Sequence, residues 1–346
     1  MPRINPRNLF LLYASIFFLA FMFMIFNYGW CPGEHEQGLE KLLEKYRSRM
    51  DEKEQQIKDL KSELKLAKSK VTEMQLNSEI RGKNSHKFDK SIPVIYAITP
   101  TYHRLEQKAD LTRLSHTFLH VTNLHWIVIE DSINKTTLVT NFLKRSGLTF
   151  THLNVVTPTN YKLKATDPNW LKPRGVLQRN AGLAWVRKHL DPKIQPGVVF
   201  FADDDNTYDL QLFEEMRYTN TVSVWPVGLS GYLRYESPLV TKGKVKGWFT
   251  YWKSTRPFAM DMAGFSVNLR LFFEYPEARF SLQVQRGYQE STILSNMHLT
   301  LNDLEPRADN CRKVLVWHTR TEKTKLKNEE KMIKKYGHGS DLNIEV

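Results

Sequence analysis

The feature that most constrains the fold is an alternation of short apolar runs and helical stretches that begins at Ile92. The run Ile92–Thr99 is typical of a buried strand, Leu111–His120 of a helix and His125–Glu130 of a second strand. The later members of the series are a helix at Thr136–Arg145, a strand at Phe150–Val156, a helix at Val176–His189 and the apolar run Val198–Phe201. Strands separated by helices predict an α/β domain with a mostly parallel sheet covered on both faces. Shorter β-like runs between Thr221 and Val316 predict a mixed or antiparallel second half.

Three polar or aromatic stretches lie where predicted strands end. They are Thr99–Tyr102, the pair Glu130 and Asp131, and Asp203–Asp205. In open sheets of this class, ligands bind outside the carboxyl ends of the strands. The sequence therefore predicts that these stretches meet at one ligand-binding edge of the sheet.

The acidic stretch Asp203–Asp205 follows an apolar strand without a break. Adjacent carboxylates repel one another, and a hard divalent cation such as Mg²⁺ or Mn²⁺ offsets that repulsion better than zinc does. Because strand residues alternate in direction, one or two of the three carboxylates would face the metal. A bound cation can in turn hold a diphosphate. The alternative is an acidic loop that caps a helix beginning near Asp209.

The N-terminal segment Leu9–Phe26 carries no charge and, with its flanks, approaches the length needed to cross a bilayer. Arg3 and Arg7 precede it and Glu34 is the first charge after it, so the positive-inside rule places the short tail in the cytosol and the rest in the lumen. The alternative is a cleaved signal peptide, but its apolar core is usually shorter and ends in small residues. We therefore predict an uncleaved signal-anchor.

A heptad pattern follows the apolar segment and indicates a stem. Its apolar positions are Leu39, Leu43, Tyr46, Met50, Ile57, Leu60, Leu64, Ala67, Val71 and Met74. This period predicts a left-handed coiled coil of two chains, and the alternative is a single solvated helix. The patterns divide the chain into a cytosolic tail at residues 1–8, a transmembrane signal-anchor at 9–29, a lumenal stem at 30–90 and a globular domain at 91–346.

The formal net charge of +13 favours an anionic partner, such as a nucleotide, an acidic glycan or a membrane surface. Nucleic acid fits the charge but not a lumenal address, so we predict no nucleic-acid partner. The tripeptide Asn134–Thr136 is an N-glycosylation sequon, which suits a lumenal surface loop.

Five sequence blocks, in order along the globular domain, resemble the signature blocks of the animal β1,3-glucuronosyltransferases. They are Pro100–Tyr102, Phe201–Tyr208, Ser223–Gly228, Asp261–Phe265 and Val316–Lys323. The resemblance implies a GT-A type glycosyltransferase fold, with a Rossmann-like nucleotide half and a mixed-sheet acceptor half. It also implies UDP-glucuronic acid as donor, Mn²⁺ as cofactor, inversion at the sugar carbon and a catalytic domain at 91–346.

For the donor, the resemblance implies that uracil stacks on Tyr102 and that His318 and Arg320 contact the diphosphate. It implies direct metal ligation by Asp205. The other residues it assigns to the nucleotide sugar are Pro100, Thr101, Asp131, Arg174, Arg179, Asp203 and Asp204. These roles agree with general chemistry, because arginine forks suit phosphate oxygens and an aromatic face suits a base.

For the acceptor, an inverting transfer needs one carboxylate as general base. The candidates are Glu236, Asp261 and Glu290, of which Glu290 matches the base of the family. Because the base must be ionised, a strongly raised pKa would count against that role. By the same resemblance Glu236, Arg256 and Asp261 would hydrogen-bond the sugars and Trp252 would stack on one of them. Asn328 would reach across a dimer into the partner's acceptor site.

Together these features predict a single-pass type II membrane enzyme of the Golgi, a homodimer whose catalytic domain is lumenal. The predicted acceptor is the terminal galactose of the Gal-Gal-Xyl linkage region on a proteoglycan core protein, which Trp252 favours. Transfer to N-acetyllactosamine of glycoproteins is the alternative that the stretch Gly287–Glu290 favours. A third alternative is an inactive anchored tether or glycan-binding protein, which loss of the acidic stretch or of Glu290 would have favoured.

Overall fold

The structure is a computed structural model that describes residues 6–27, 44–64, 89, 91–163, 167–168 and 171–345. The chain divides into two compact units, Met1–Ile80 and Arg81–Val346. The second unit includes residues 91–346, for which the sequence predicts the globular domain, and the predicted boundary at residue 91 stays a prediction.

The first unit contains two helices in its described part. Helix α1 spans Pro6–Asn27 and includes the predicted anchor Leu9–Phe26. No helix in the described ranges combines the length and the hydrophobicity that a membrane crossing requires. Residues 44–64 form helix α2, and its heptad side chains Tyr46, Met50 and Ile57 are exposed. Residues 1–5, 28–43 and 65–88 lie outside the described residues, so the signal-anchor and the coiled coil stay predictions.

The nucleotide half contains the predicted alternation of strands and helices. Strands β1 to β4 are Val94–Thr101, Leu124–Glu130, Thr149–Asn154 and Gly197–Phe201. Helices α3 to α5 are Gln107–Phe118, Thr137–Arg145 and Val176–His189. Strand β1 pairs in parallel with β2 and β4, and β2 pairs in parallel with β3. The prediction of a parallel sheet is therefore confirmed for this half.

Strand β1 extends beyond its predicted end at Thr99 and includes Pro100 and Thr101. Pairing with β4 ends at Ile98, whereas pairing with β2 continues to Thr101. A proline is tolerated in a strand where one side is unpaired, because its missing N–H then removes no ladder bond. The extra residues carry the strand to the edge where the acidic stretch begins.

The acceptor half consists of shorter elements. Strands β5 to β12 are Thr207–Tyr208, Val222–Val224, Val227–Gly228, Tyr235–Thr241, Lys244–Phe249, Phe265–Asn268, Leu304–Pro306 and Val316–Trp317. Helices α6 to α10 are Leu210–Arg217, Leu271–Glu274, Gln289–Ser295, Ala308–Cys311 and Glu329–Tyr336. Within the described residues, the main sheet has the strand order β11-β6-β10-β4-β1-β2-β3 and a second sheet has the order β5-β12-β7-β8-β9. Strand β10 is antiparallel to both of its neighbours, so the predicted mixed second half is confirmed.

Aromatic side chains pack on both faces of the main sheet. On one face the ring of Phe118 makes edge contacts with Trp126 at 5.4 Å and Phe213 at 5.7 Å. On the other, Phe201 contacts Phe280 at 5.0 Å. Burial of such a ring stabilises the fold by roughly 1.5–3 kcal/mol. The packed sheet therefore provides a rigid support for the side chains at its carboxyl edge.

Candidate active site

The three aspartates after β4 lie in three different environments. Asp204 is 6% exposed, accepts a hydrogen bond from Thr101 Oγ1 at 2.7 Å and pairs with Arg104 Nη2 at 2.9 Å. Burial raises the pKa of Asp204 to about 6, although Arg104 opposes the rise. Asp203 pairs with Arg179. Both carboxylates therefore have partners within the protein.

Asp205 differs from its neighbours, because no group among the described residues donates a hydrogen bond to its carboxylate. Burial raises the pKa of Asp205, and the charge of Asp203 raises it further. Its backbone carbonyl accepts a hydrogen bond from Thr319 Oγ1 at 2.6 Å. Ligation by a cation would relieve the carboxylate repulsion that raises this pKa.

The described residues contain no group of three His, Cys, Asp or Glu side chains that could hold a metal by themselves. This donor set does not suit a structural site made only of protein ligands. It does fit Mg²⁺ or Mn²⁺ held by one or two carboxylates and completed by phosphate oxygens and water. Asp205 is the carboxylate that would hold such a cation.

The residues predicted to bind the base meet at the ends of β1 and β2. The backbone N–H of Asp131 donates to the carbonyl of Thr101 at 2.8 Å, and Asp131 Oδ1 accepts from the backbone N–H of Thr157 at 2.7 Å. Tyr102 is 44% exposed. These contacts join Pro100, Thr101, Tyr102 and Asp131 in one corner that presents an aromatic surface.

The two predicted arginines differ in position. Arg179 lies in the first turn of α5, is 7% exposed and donates from Nη1 to the carbonyl of Arg174 at 2.9 Å. The side chain of Arg174 is exposed. Gly175 precedes α5 with φ +70°, and a Cβ there would lie 2.6 Å from Arg179 Nη1 and 3.1 Å from Pro100 Cβ. Glycine at this position therefore lets Arg179 approach both Asp203–Asp205, here called the acidic turn, and the corner formed by Pro100, Thr101, Tyr102 and Asp131, here called the base corner.

His318 follows β12 and lies between the two halves. Its backbone N–H donates to the carbonyl of Gly228 at 2.8 Å, and Nδ1 lies 3.3 Å from Asp261 Oδ2. The carboxylate of Asp261 beside the ring raises the pKa of His318 to about 9. Burial acts to raise the pKa of Asp261, but His318 outweighs it and the pKa falls. At neutral pH the pair is a cation and an anion, and the exposed Arg320 adds a second positive charge beside it.

Glu290 lies in the first turn of α8. Burial raises its pKa to about 7; the charge of Asp261 raises it further, whereas those of Arg256 and Arg179 lower it. A strongly raised pKa is unfavourable for a base that must be ionised. A value near 7, however, leaves about half of the carboxylate ionised at neutral pH and makes it a stronger base, since catalysis is most efficient when the pKa of the base lies near the operating pH.

The acceptor wall contains a chain of carboxylates and hydroxyls. Glu236 is 8% exposed and accepts from Ser230 Oγ at 2.7 Å and from Thr250 Oγ1. Ser230 Oγ also lies 3.2 Å from Asp261 Oδ2. The chain connects Glu236 through Asp261 to His318, so the predicted acceptor and diphosphate residues form one network.

Trp252 is held in place by Gly287 and Arg256. A Cβ at Gly287 would lie 2.2 Å from Trp252 Cζ3, and the Arg256 guanidinium lies 5.0 Å from the ring centroid. Arg256 is 7% exposed and donates to the carbonyls of Gly287 at 2.6 Å, Trp252 at 3.2 Å and Lys253 at 3.2 Å. These bonds make Arg256 a support for Trp252, and the contact with sugar that the resemblance implies for Arg256 stays a prediction.

Two predicted residues lie away from this network. Asn328 precedes α10, is exposed and accepts from Lys331 Nζ at 3.3 Å. Its predicted role needs a second subunit and stays a prediction. Asn134 lies in the exposed loop after β2, so its side chain is accessible for the predicted glycosylation.

Sequence reasoning missed Arg104, Asp110 and Ser230. Arg104 lies two residues after Tyr102, in the same loop as the base corner, but a single arginine in a loop carries little signal. Asp110 lies in a helix, where an acidic residue in the first turn is ordinary. Ser230 is identified only by the two carboxylates it contacts.

The sequence model of the family described as glycosyltransferase family 43 matches residues 114–322 of this chain. Among curated proteins, galactosylgalactosylxylosylprotein 3-beta-glucuronosyltransferase 2 of Rattus norvegicus is 56% identical over 257 residues, 74% of this chain and 76% of the rat protein. Human galactosylgalactosylxylosylprotein 3-beta-glucuronosyltransferase 1 is 56% identical, over 70% of this chain and 73% of its own length. The human protein numbered 3 is 52% identical, over 74% of this chain and 78% of its own length. A crystal structure of S. aureus TarS 1-349 is 14% identical with a TM-score of 0.42, over 65% of this chain and 60% of that one, a likeness too weak for any inference. Because the match covers more than half of the chain and the relatives share more than half of the aligned residues, this chain belongs to glycosyltransferase family 43.

Proposed function

We propose that this protein is an inverting glucuronosyltransferase that transfers glucuronic acid from UDP-glucuronic acid to galactose in β1,3 linkage. Its acceptor is the Gal-Gal-Xyl linkage region of proteoglycans, as the names of relatives 52–56% identical to it suggest. The observation that carries the proposal is the position of Glu290 between the two halves. Arg179 of the nucleotide half and Arg256 of the acceptor half both lower its pKa, and Asp261 of the acceptor half raises it.

The donor half supplies positive charge for a diphosphate. Protonated His318 and the exposed Arg320 lie together after β12, and Arg179 lies beside the acidic turn. Positive groups fixed where negative charge develops are among the strongest contributions to catalysis. Mn²⁺ at Asp205, when bound, would neutralise further charge on the departing diphosphate.

The transfer proceeds in one displacement. Glu290 accepts the proton of the acceptor hydroxyl while that oxygen attacks the anomeric carbon of the glucuronate. The bond from that carbon to the diphosphate oxygen breaks, and UDP leaves with the electron pair. Attack from the face opposite to UDP inverts the anomeric configuration. Trp252 and the Glu236 network orient the acceptor sugar on that face.

Transfer to N-acetyllactosamine is the second candidate. The stretch Gly287–Glu290, which packs against Trp252 and contains the proposed base, favours it. An inactive tether is disfavoured, because Asp205 and Glu290 are both present and His318 lies 3.3 Å from Asp261.

We also propose that the enzyme acts as a membrane-anchored homodimer in the Golgi lumen. Support for the anchor comes from the uncharged sequence Leu9–Phe26, and support for a paired stem comes from the exposed heptad side chains of α2.

The test offers the protein UDP-[¹⁴C]glucuronate with galactosyl-galactose and N-acetyllactosamine acceptors in parallel reactions. We expect transfer to galactosyl-galactose, loss of that transfer in Glu290→Gln, and a β1,3 linkage in the product by NMR. Exclusive transfer to lactosamine would replace the proposed acceptor with the second candidate. Transfer to neither acceptor would contradict the proposed activity.

A further inference from the structure

We propose that Arg104 is a positioning residue of the donor site, which holds the ring of Tyr102 in its binding position and keeps the carboxylate of Asp204 directed into the protein before the nucleotide arrives. The inference rests on the proposed function, since it concerns the nucleotide-sugar site. Nothing in the sequence motifs or in the names of the relatives assigns a role to this residue.

The guanidinium of Arg104 is fixed by several contacts. Nη2 lies 2.6 Å from Asp110 Oδ2 and 2.9 Å from Asp204 Oδ1, and Nη1 donates to the carbonyl of Tyr102 at 3.3 Å. Its carbon Cζ lies 4.7 Å from the centroid of the Tyr102 ring. The side chain is 14% exposed, so these contacts form in a place largely shielded from water.

One consequence concerns Tyr102. Arg104 covers one face of the ring through a cation–π contact, yet Tyr102 remains 44% exposed. The remaining face is the one available to stack on a base. A ring held in this way has lost its side-chain freedom before binding, so less entropy is lost when the base stacks.

A second consequence concerns the acidic turn. Asp204 is buried between two other carboxylates and has Arg104 as its cationic partner. A buried carboxylate that loses its partner is strongly unfavourable and must change its position or its protonation. Arg104 therefore keeps Asp204 directed into the protein, away from the position at which Asp205 would hold a cation.

The contact extends to the turn that carries His318. Asp110 is fully buried and accepts hydrogen bonds from Arg104, from Arg113 Nη2 at 2.8 Å and from Thr321 Oγ1. Arg104 thus joins the base corner, the acidic turn and, through Asp110, the segment that precedes α10. This single side chain contacts both of the elements predicted to bind the two ends of the nucleotide.

The test compares Arg104→Met, Arg104→Lys and the control Arg113→Met in the full chain. Arg113 also donates to Asp110, but its side chain is 49% exposed, and among the described residues its polar contacts are with Asp110 and Thr321. Calorimetry measures the Kd of UDP with saturating Mn²⁺, and steady-state kinetics measures the KM for UDP-glucuronate and for the acceptor.

We expect Arg104→Met to raise the Kd of UDP and the donor KM at least about tenfold, since hydrogen bonds to charged groups contribute at this level. The acceptor KM at saturating donor should stay within about twofold. Arg104→Lys should recover part of the loss, because an ammonium keeps the charge but not the planar fork. Arg113→Met should bind UDP as the unchanged protein does.

Wild-type UDP affinity in Arg104→Met, or an equal loss in Arg113→Met, would overturn the inference. If Arg104→Met does not fold, Arg104→Lys alone decides, and unchanged UDP affinity there would overturn it. Failure of the unchanged protein to bind UDP would instead overturn the proposed function, which keeps the two failures apart.

Discussion

At the residue scale, the three consecutive aspartates have three different environments. Asp203 pairs with Arg179, Asp204 with Arg104 and Thr101, and Asp205 with no donor among the described residues. Sequence could state that one or two of them would face a metal, but it could not distinguish them. Their environments distinguish Asp205, because among the described residues no donor contacts its carboxylate, and this supports the proposal that Asp205 would hold a cation.

This assignment predicts that Asp205→Asn raises the Kd of UDP in the presence of Mn²⁺ at least about tenfold, since a charge-assisted contact is lost. Calorimetry measures the Kd, and circular dichroism checks the fold. The matched control is Asp209→Asn, an exposed carboxylate that accepts from the backbone N–H of Gln211 at 2.8 Å and caps α6. Equal UDP affinity in the two variants would contradict metal ligation by Asp205.

The pKa directions of Glu290 and His318 predict a bell-shaped dependence of kcat/KM on pH. Glu290 must be ionised to accept a proton, so activity should fall as pH drops through about 7. His318 must be protonated to attract the diphosphate, so activity should fall as pH rises through about 9. The same raised pKa makes the contribution of His318 to stability full below its unfolded value of 6.5 and lost as pH rises through about 9.

Steady-state rates from pH 5.5 to 10 measure these two limbs. We expect His318→Asn to remove the alkaline limb and to leave the acid limb in place. Glu290→Gln should lower kcat at all pH values by roughly 10²-fold or more, as loss of a general base does. An acid limb that persists unchanged in residual Glu290→Gln activity would contradict the assignment of that limb to Glu290.

At the element scale, the loop before α8 sets the position of Trp252. Gly287 has φ +72°, and an added Cβ would lie 2.2 Å from Trp252 Cζ3, a distance that side chains do not tolerate. Arg256 reinforces the contact by donating to the carbonyl of Gly287. The position of Trp252, the predicted acceptor platform, therefore depends on two loops that are separated in the sequence.

Gly287→Ala is predicted to displace Trp252 and raise the acceptor KM about tenfold, with the Kd of UDP unchanged. Gly243→Ala is the control, because Gly243 also has a positive φ of +71° but no atom within 4 Å of the added Cβ. Both variants meet the same kind of backbone strain, so a difference between them reports the clash. Equal acceptor KM values in the two variants would argue against the role of this loop.

At the scale of the whole molecule, the exposed apolar stripe of α2 bears on whether two chains associate. The seam side chains Ile57, Leu60 and Leu64 of α2 are 51%, 63% and 56% exposed in the single chain. A helix with an exposed apolar stripe gains stability when a second chain covers it. The heptad pattern therefore favours association of two full chains.

Ile57→Glu is predicted to weaken that association at least about tenfold, because a charge would be buried in the seam. Sedimentation of the full chain in detergent measures the dimer dissociation constant. Lys58→Glu is the control, since it changes charge at the next position, outside the seam. An unchanged dissociation constant in Ile57→Glu would show that the stem does not pair through this stripe.

Much of the fold could be predicted because strand and helix patterns are local. Helix α5 has the predicted bounds, and the acidic stretch follows β4 as expected. The insertion of β10 between β4 and β6 could not be predicted, since it depends on a chain reversal that no local period records. The family and the outline of the site were predictable because long motifs carry specific residues.

The sequence by itself determined the alternation of strands and helices, the polar carboxyl edge and the family. Only the tertiary structure decided which carboxylate is left for a cation, that Arg256 supports Trp252, and that Arg104 joins Tyr102 to Asp204. The physical reason is that these features depend on hydrogen bonds between residues far apart in the chain. Whether a buried charge is paired depends on which side chain the fold places within about 3 Å of it. A local sequence pattern does not indicate which distant residue that partner is.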